Sequence, residues 1–458
     1  MNITSYDNND LIYALATPWG ASALAIIRIS GEGCVASLAT AFSRPEALLT
    51  ARTNRLVHGM LRSPATGKAV DEVVLAVYRA GHGYTGEESV EISCHGSIPG
   101  IEAVLELLKT LGLRPAEPGE FTFRAFMHGR MDLTQAEAVQ EIIASRSRTA
   151  QSLALHRLEG ALFEELQQIK NLVLDVLSVV EVQLDYAEDE IGGDVAFPLD
   201  TVGVAKARIE ALLATYEVGR LYGQGARIVL AGSTNAGKST LFNLLLKEER
   251  SIVSEVHGTT RDFIEAQTII GGIPIRVYDT AGLRDSTDSI EAEGMRRTEQ
   301  LLDQADLILL LLDGTEPHDG AGLLGSRIAR LVHDPRCMIV WNKTDLSVGK
   351  PPEGSFPLSA KRGKGFAELQ AEMLARLRKG SARPEDDKVV IENARQRDAL
   401  VRASEALEAS LRLAQAAVPL DIVAIELNEA LEAMGSLTGE VTSADVLERI
   451  FSGFCVGK

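Results

Sequence analysis

The sequence predicts a multidomain α/β and α protein: an N-terminal α+β domain, a helical domain, and a doubly wound α/β domain inserted into the helical one. Three observations carry this expectation. At 458 residues the chain exceeds what one hydrophobic core organises, and its length suggests about three domains. Long helical periodicity, rich in Ala, Leu, Glu and Gln, occurs in two separate blocks, 133–189 and then 394–417 with 422–434. Between them lie glycine-punctuated apolar strands, beginning with Arg227-Ile-Val-Leu-Ala, a glycine-rich loop and the helical run Thr240-Leu-Phe-Asn-Leu-Leu-Leu.

With 45% apolar and 5% aromatic residues, the composition is that of an ordinary globular protein of helical or mixed type. A formal net charge of −18 leaves no global positive field to draw nucleic acid or acidic lipid to the surface. Any nucleic-acid contact therefore needs a local basic patch or a partner. The cysteines, Cys34, Cys94, Cys337 and Cys455, show neither C-x-x-C pairing nor metal-ligand spacing and read as reduced thiols. The N-terminal residues lack the basic flank and apolar stretch of a signal peptide. The longest strongly apolar run, 307–312, is too short to span a bilayer. A cytoplasmic protein without membrane association is expected.

Taken in chain order, residues 1–122 form the first domain, with apolar runs at 23–29, 72–78 and 90–93 reading as strands and 101–111 as a helix. Residues 123–218 open the helical domain, typified by Ala161-Leu-Phe-Glu-Glu-Leu-Gln-Gln-Ile-Lys. Residues 219–380 form the inserted domain, and 381–458 complete the helical one. An insertion of this kind predicts that entry and exit lie close together. The acidic stretch 185–194 and the Pro-containing stretch 381–388 read as a loop and a linker, and no fixed-period repeat is present.

The chemistry begins at Gly232-Ser-Thr-Asn-Ala-Gly-Lys-Ser239, set between a strand and a helix. Its glycines let backbone N–H groups approach phosphate oxygens, and the following helix points its positive end at them. Lys238 should pair with the β- and γ-phosphates and Ser239 should ligate Mg²⁺. The plain alternative, a tight glycine turn before a helix, is disfavoured by further motifs downstream. Asp279-Thr280-Ala281-Gly282 follows the strand Ile275-Arg-Val-Tyr and has the form of the motif whose Asp lies near Mg²⁺ and whose Gly N–H senses the γ-phosphate. Asn342-Lys343-Thr344-Asp345 ends a strand, and its carboxylate can accept from the guanine N1–H and 2-amino edge, a donor pair that adenine lacks. Ser359-Ala360-Lys361 resembles the loop whose backbone amide meets guanine O6. The ordered set resembles a Ras-like GTPase domain that binds its ligand at the carboxyl ends of its strands.

Leu283 stands where Ras-type enzymes place the water-orienting glutamine, and an apolar side chain cannot position water. Another group must do so. Glu291 is a candidate, although from the residues alone it is one carboxylate among several and is equally well read as a solvated helix residue.

Gly232-x-x-Asn-Ala-Gly-Lys-Ser, Gly258-Thr-Thr-Arg-Asp262, Asp279-Thr-Ala-Gly-Leu-Arg284 and the terminal Phe454-Cys-Val-Gly-Lys458 together resemble the tRNA modification GTPase family MnmE, also called TrmE. Ala16-Thr-Pro, Ile26-Ile-Arg-Ile-Ser-Gly31, Tyr84-Thr-Gly-Glu-Glu-Ser-Val-Glu91 and Pro118-Gly-Glu-Phe-Thr-x-Arg-Ala-Phe126 extend the resemblance over essentially the whole chain. It implies an N-terminal tetrahydrofolate-binding and dimerising domain and a potassium-dependent GTPase activated when two G domains of a homodimer meet. Potassium would take the place of an arginine finger, with Asn235, Ser254, Val256 and Thr259 as ligands, while Thr260 would join Ser239 on Mg²⁺. Glu291 becomes the catalytic glutamate. The GTP-contacting set then comprises Asn235, Ala236, Gly237, Lys238, Ser239 and Thr240; Ser254, Glu255, Val256, His257, Gly258, Thr259 and Thr260; Asp279 to Gly282; Asn342 to Asp345; and Ser359 to Lys361.

The family reaction modifies carbon 5 of the tRNA wobble uridine by carboxymethylaminomethyl or aminomethyl addition. It runs in a heterotetramer, two copies of each chain, with the FAD-dependent MnmG protein. A 5-formyl- or 5,10-methylene-tetrahydrofolate supplies the one-carbon unit. Arg28, Glu91, Arg130 and Lys458 match the folate site: Arg28 and Arg130 could pair with the glutamate tail and Glu91 could accept from the pterin. Without the resemblance each is an ordinary surface charge.

Cys455 has two readings: participation in the modification chemistry, which the resemblance implies, or a small buried thiol. Prenylation is disfavoured because Val-Gly-Lys lacks a permitted terminus. Cys94-His95 would suggest a metal or nucleophile pair, but strand neighbours face opposite ways, so the pair reads as structural. Three departures from the family pattern stand out: Thr234 for a usual Pro, Arg130 for a Lys in some members, and His257 for a small or apolar residue beside the potassium ligands. The competing reading is a GTP-controlled switch or ribosome-assembly factor. It would need a basic RNA-binding module, which the acidic balance and the helical C-terminal block disfavour. A membrane-remodelling GTPase would need a basic amphipathic segment, and none is visible.

Overall fold

The computed structural model describes residues 10–185, 196–233, 235–247, 264–279, 299–315, 331–347, 350–379, 384 and 388–457. The chain divides into two compact units, Met1–Gln140 with Arg157–Phe197 and Ala409–Lys458, and Glu141–His156 with Pro198–Glu408.

The first unit is built on strands β1 (Ile12–Leu15), β2 (Leu24–Ser30), β3 (Arg55–Arg62), β4 (Ala69–Tyr78), β5 (Ser89–His95) and β6 (Arg114–Pro115), in the order β3-β4-β5-β2-β1-β6. Each neighbouring pair is antiparallel except β1 and β6. Alternation sets the two faces: Ala25, Ile27 and Ile29 of β2 are buried, while Ile26 and Arg28 between them are only partly covered. The buried side packs against helices Cys34–Ala39 and Ile98–Thr110, whose Val35, Leu38, Val104 and Leu108 join Val73, Leu75 and Ile92 in one core. Ser97 caps Ile98–Thr110 by accepting from the Gly100 N–H at 3.2 Å. Cys94 is buried and His95 exposed, as opposite faces require.

Helices Ala161–Asp185 and Leu420–Thr438 of this unit pack against one another, with Lys170 bonded to Glu440. The C-terminal helix Ala444–Phe451 lies on Glu120–Met127 through an edge-to-face Phe123–Phe451 pair, centroids 5.3 Å apart, and Phe454 extends the cluster.

The second unit carries β7 (Ala226–Gly232), β8 (Ile264–Ile270), β9 (Ile273–Asp279), β10 (Leu307–Asp313), β11 (Cys337–Asn342) and β12 (Phe356–Pro357), ordered β12-β11-β10-β7-β9-β8. All pairs are parallel except β8 with β9. Leu307 to Leu311 are uniformly buried, the signature of a strand covered on both faces. Chain order reverses at β7, which pairs with β9 on one side and β10 on the other. A ligand crevice is therefore expected at the carboxyl end of β7. The glycine-rich loop begins there.

Entry to and exit from this sheet are adjacent. Helix Tyr216–Gly223 precedes β7, and its Gly219 and Gly223 lie against the Ile391 carbonyl and the Glu392 carboxylate, leaving no room for a Cβ at either position. The Ile391 N–H donates to Thr215 Oγ1 at 3.1 Å.

Candidate active site

The loop after β7 is shaped by backbone conformations that few residues tolerate. Gly232 has φ 138° and sits against the Leu311 carbonyl of β10; Gly237 has φ 97°. Asn235, without a glycine's freedom, is held at φ 68°, a strained conformation typical of functional loops. Lys238, the first residue of helix Lys238–Lys247, curls its ammonium over the loop and donates to the carbonyls of Gly232 at 3.0 Å and Ser233 at 2.7 Å. Ser239 Oγ donates to Asp279 Oδ2 at 3.0 Å, so the two expected magnesium-side oxygens come together at the ends of β7 and β9. Asp279 is 2% exposed and Lys238 6%.

Asn342 braces this loop to the opposite wall. Its Nδ2 donates to the Ala236 carbonyl at 2.8 Å, and its Oδ1 accepts from the Ala360 N–H at 3.0 Å. The bridge joins the phosphate loop to the Ser359–Ala360–Lys361 turn. Lys343 has φ 63° and donates to Asp313 Oδ2 at 2.6 Å, while Thr315 donates to Oδ1 through its N–H and its hydroxyl. Burial pushes Asp313 upward, and the bonds from Lys343 and Thr315 outweigh it, leaving the carboxyl below its usual range. Asp345 is also held low, chiefly by the 2.7 Å bond from Ser359 Oγ. Its second oxygen meets Arg362 Nε at 3.1 Å. A guanidinium offers the same kind of paired N–H donors as the guanine edge, so Arg362 stands in for a base at the oxygen expected to read one. Neither Asp313 nor Arg362 stands out in the sequence; the brief signal for Asp313 is its place beside Asn342 at the end of a strand whose residues Leu307 to Leu311 are all buried.

Thr234, Ser254, Glu255, Val256, His257, Gly258, Thr259, Thr260, Thr280, Ala281, Gly282, Leu283, Glu291 and Lys458 lie outside the described residues. Among the described residues, no cluster of three or more His, Cys, Asp or Glu side chains has metal-binding geometry. None of their helices is long and apolar enough to cross a membrane.

A second constellation lies in the first unit. Arg28 of β2 and Glu91 of β5 are register partners, and Arg28 donates to Glu91 Oε1 through Nε at 3.1 Å and Nη2 at 2.8 Å. The guanidinium lies 4.8 Å from the Tyr84 ring centroid and reaches the Gly457 carbonyl at 3.4 Å. Two residues read separately are thus one ion pair, with the C-terminal segment drawn onto it. Gly457 seats this segment against the Leu15 carbonyl at φ 94°. Cys455 is exposed between buried Phe454 and Gly457, which removes the buried-thiol reading. Arg130 is exposed, its stem over Gly86.

Beneath this pair lies a buried ionic network that sequence reasoning missed. Arg124, fully buried, donates to Glu87 at 3.2 Å, to Glu120 at 2.9 Å and to Asp10 at 2.6 Å. Arg114 bonds Glu120 at 2.7 Å and also Asp10, and Ser30 donates to Glu87 at 2.8 Å. Burial raises Asp10, but Arg114 and Arg124 overcome it and hold the carboxyl low. The segments Tyr84 to Glu91 and Pro118 to Phe126 are thereby joined through their own charges.

The family model described as the N-terminus of the GTP-binding protein TrmE matches residues 11–130, and the MnmE helical domain matches 133–455. The tRNA modification GTPase MnmE of Treponema denticola is 40% identical over 475 residues, covering 100% of both chains. Those of Borrelia recurrentis and Carboxydothermus hydrogenoformans are each 37% identical, covering 99% and 98% of this chain and 99% of their own. With two family models in tandem and full-length relatives, the chain belongs to the tRNA modification GTPase family MnmE (TrmE).

Proposed function

We propose that this chain hydrolyses GTP to drive modification of tRNA wobble uridine at carbon 5, as a homodimer acting with an FAD-dependent MnmG protein in the cytoplasm. The observation that carries the nucleotide half is the Asn342 bridge between the phosphate loop and the base-side turn, with Asp345 beyond it.

In this reading Lys238 exchanges its two loop carbonyls for phosphate oxygens. Asp345 exchanges Arg362 for the guanine edge, and Asn342 keeps both walls in register. The paired oxygens of Ser239 and Asp279 suit a hard divalent cation, and Thr260 completes the set. Magnesium, when bound, neutralises charge on the β- and γ-phosphates. Asn235, Ser254, Val256 and Thr259 would hold potassium, which would supply the positive charge that an arginine finger supplies elsewhere. Glu291 orients water.

In the first unit, Arg28 positions Glu91 through Oε1, and Oε2, without a hydrogen-bond partner among the described residues, is left as an acceptor for a pterin. Arg130 and Lys458 would hold the anionic tail. The folate derivative supplies the one-carbon unit. Exposed Cys455 beside this pair is available to the modification chemistry.

Two measurements test the reading. GTP hydrolysis should be fast in potassium and slow in sodium, and Glu291→Ala should abolish it while nucleotide binding survives; equal rates in both salts remove the potassium mechanism. Wobble uridines in tRNA from cells lacking the protein should be unmodified. Unaltered modification would leave a GTP-controlled switch instead.

A further inference from the structure

We propose that edge strand β3 and its flanks are the surface on which this protein docks the phosphate backbone of its RNA, an assignment that rests on the tRNA reading above. In a chain of net charge −18, residues 44–68 carry five Lys or Arg side chains and one carboxylate, Glu46. All five, Arg44, Arg52, Arg55, Arg62 and Lys68, are exposed. Four other cations of this unit are neutralised: Arg28 by Glu91, Arg79 by Glu88, Arg114 and Arg124 by shared carboxylates. Among the described residues, no carboxylate pairs with any of these five. Their charge is available to displace counterions from a polyanion.

The backbone arranges them as a strip. Among the described residues β3 ends the sheet, with β4 its one strand neighbour and Phe42 bridging Leu61 on its outer side; Arg55 and Arg62 stand at its two ends on alternate faces, roughly 24 Å apart at 3.4 Å per residue, so a shared ligand runs along the edge. Arg44 is tied to the middle of the strand by donating to the His58 carbonyl at 3.2 Å. Arg62 donates to the Gly67 carbonyl at 3.2 Å, which brings it beside Lys68 in the β3–β4 turn. These bonds occupy one nitrogen of each guanidinium and fix its stem. His58 faces Glu72 at 2.9 Å and is not counted among the five.

The strip also lies at a useful distance. Leu56, 71% exposed, is in register with Ala76, Ala76 with Glu91, and Glu91 with Arg28, so the four residues form one row on one face of the sheet. Three strand spacings separate Leu56 from Arg28, about 14 Å. A backbone held along β3 leaves an unstacked base within reach of the Arg28–Glu91 pair, as chemistry on a base requires.

Cations on an edge strand also discourage strand pairing, so the test separates the two roles. Binding of the full-length protein to unmodified tRNA should be measured by fluorescence anisotropy across a salt series for wild type, Arg55→Glu/Arg62→Glu, Arg55→Gln/Arg62→Gln, and the control Lys109→Glu/Arg402→Glu. The control carries the same charge change on exposed sites elsewhere. The expected result is at least about tenfold weaker binding for the strip reversals, a smaller loss for the glutamine pair, and a salt slope reduced by about 1.5. The control should bind like wild type. Unchanged strip variants, or a control weakened equally, overturn the surface. So does a strip variant that only self-associates at unchanged RNA affinity. If wild type binds no tRNA at any salt concentration, the tRNA reading itself fails, a result distinct from strip variants matching a wild type that binds. Melting temperature checks the fold, and the glutamine pair serves should the reversals melt early.

Discussion

Removing the Asn342 side chain tests whether the two walls of the nucleotide site act as one body. Asn342→Ala deletes both the 2.8 Å donation to Ala236 and the 3.0 Å acceptance from Ala360. It leaves a carbonyl and an N–H in residues that are 0% and 5% exposed. Each stranded group costs about 1–3 kcal/mol, so the pair should cost about 2–6 kcal/mol. The loss divides between stability of the free protein and ordering of the loops on binding. Nucleotide affinity from titration of a fluorescent GDP analogue, summed with the change in unfolding free energy, recovers the total. The smallest case, carried wholly by affinity, is about thirtyfold. Asn342→Asp dissects the bridge, because it keeps the acceptor for Ala360 while setting a carboxylate against the Ala236 carbonyl; it should lose at least half as much. Affinity and stability both within threefold of wild type would refute the bridge.

Arg124→Ala should destabilise the first unit by about 3–5 kcal/mol in urea unfolding, because Glu87 stays buried without its cation and Glu120 keeps only Arg114; a loss below 1 kcal/mol would mean the network relaxes to water. Asp10 has a folded pKa below its unfolded value, so its contribution is complete above the ordinary carboxylate range and disappears as pH falls through the folded pKa. Arg124→Ala should therefore flatten the acid limb of the stability curve. His95 is raised by the bond it donates to Asp71, so the stability it confers is complete below its ordinary 6.5 and is lost as pH rises through the folded value; an NMR titration of Asp71→Asn should move the midpoint down, and an unmoved midpoint counts against the pair. Arg362→Ala frees one oxygen of Asp345 and should tighten guanine-nucleotide binding about two- to fivefold, whereas weaker binding would show that Arg362 assists the base.

The nucleotide loop was legible because its constraints are local: Gly232, Gly237, Lys238 and Ser239 fall within one turn of chain, and spacing alone specifies their geometry. The strands were legible for the same reason, since burial of Leu307 to Leu311 leaves a continuous apolar run. What escaped depends on partners far apart in sequence. Arg124 reads as a helix cation until Asp10, Glu87 and Glu120 surround it. Arg28 and Glu91 were assigned separate tasks because strand pairing across 63 positions leaves no periodic trace. Arg362 lies outside the motif that it contacts, and Gly219 and Gly223 look like ordinary helix glycines until the Val390–Glu392 stretch returns to meet them.

That return has a consequence for how the second unit comes apart. With Gly219 against Ile391 and Thr215 bonded to the same residue, the chain between them is a ring closed without a covalent bond. Closing a flexible ring of roughly 170 residues costs about 4–5 kcal/mol of chain entropy. If the small knot of Thr215, Gly219, Gly223 and Ile391 outlasts the sheet during unfolding, the released strands remain circularised. They then refold without repeating the slowest search, that for each other's ends.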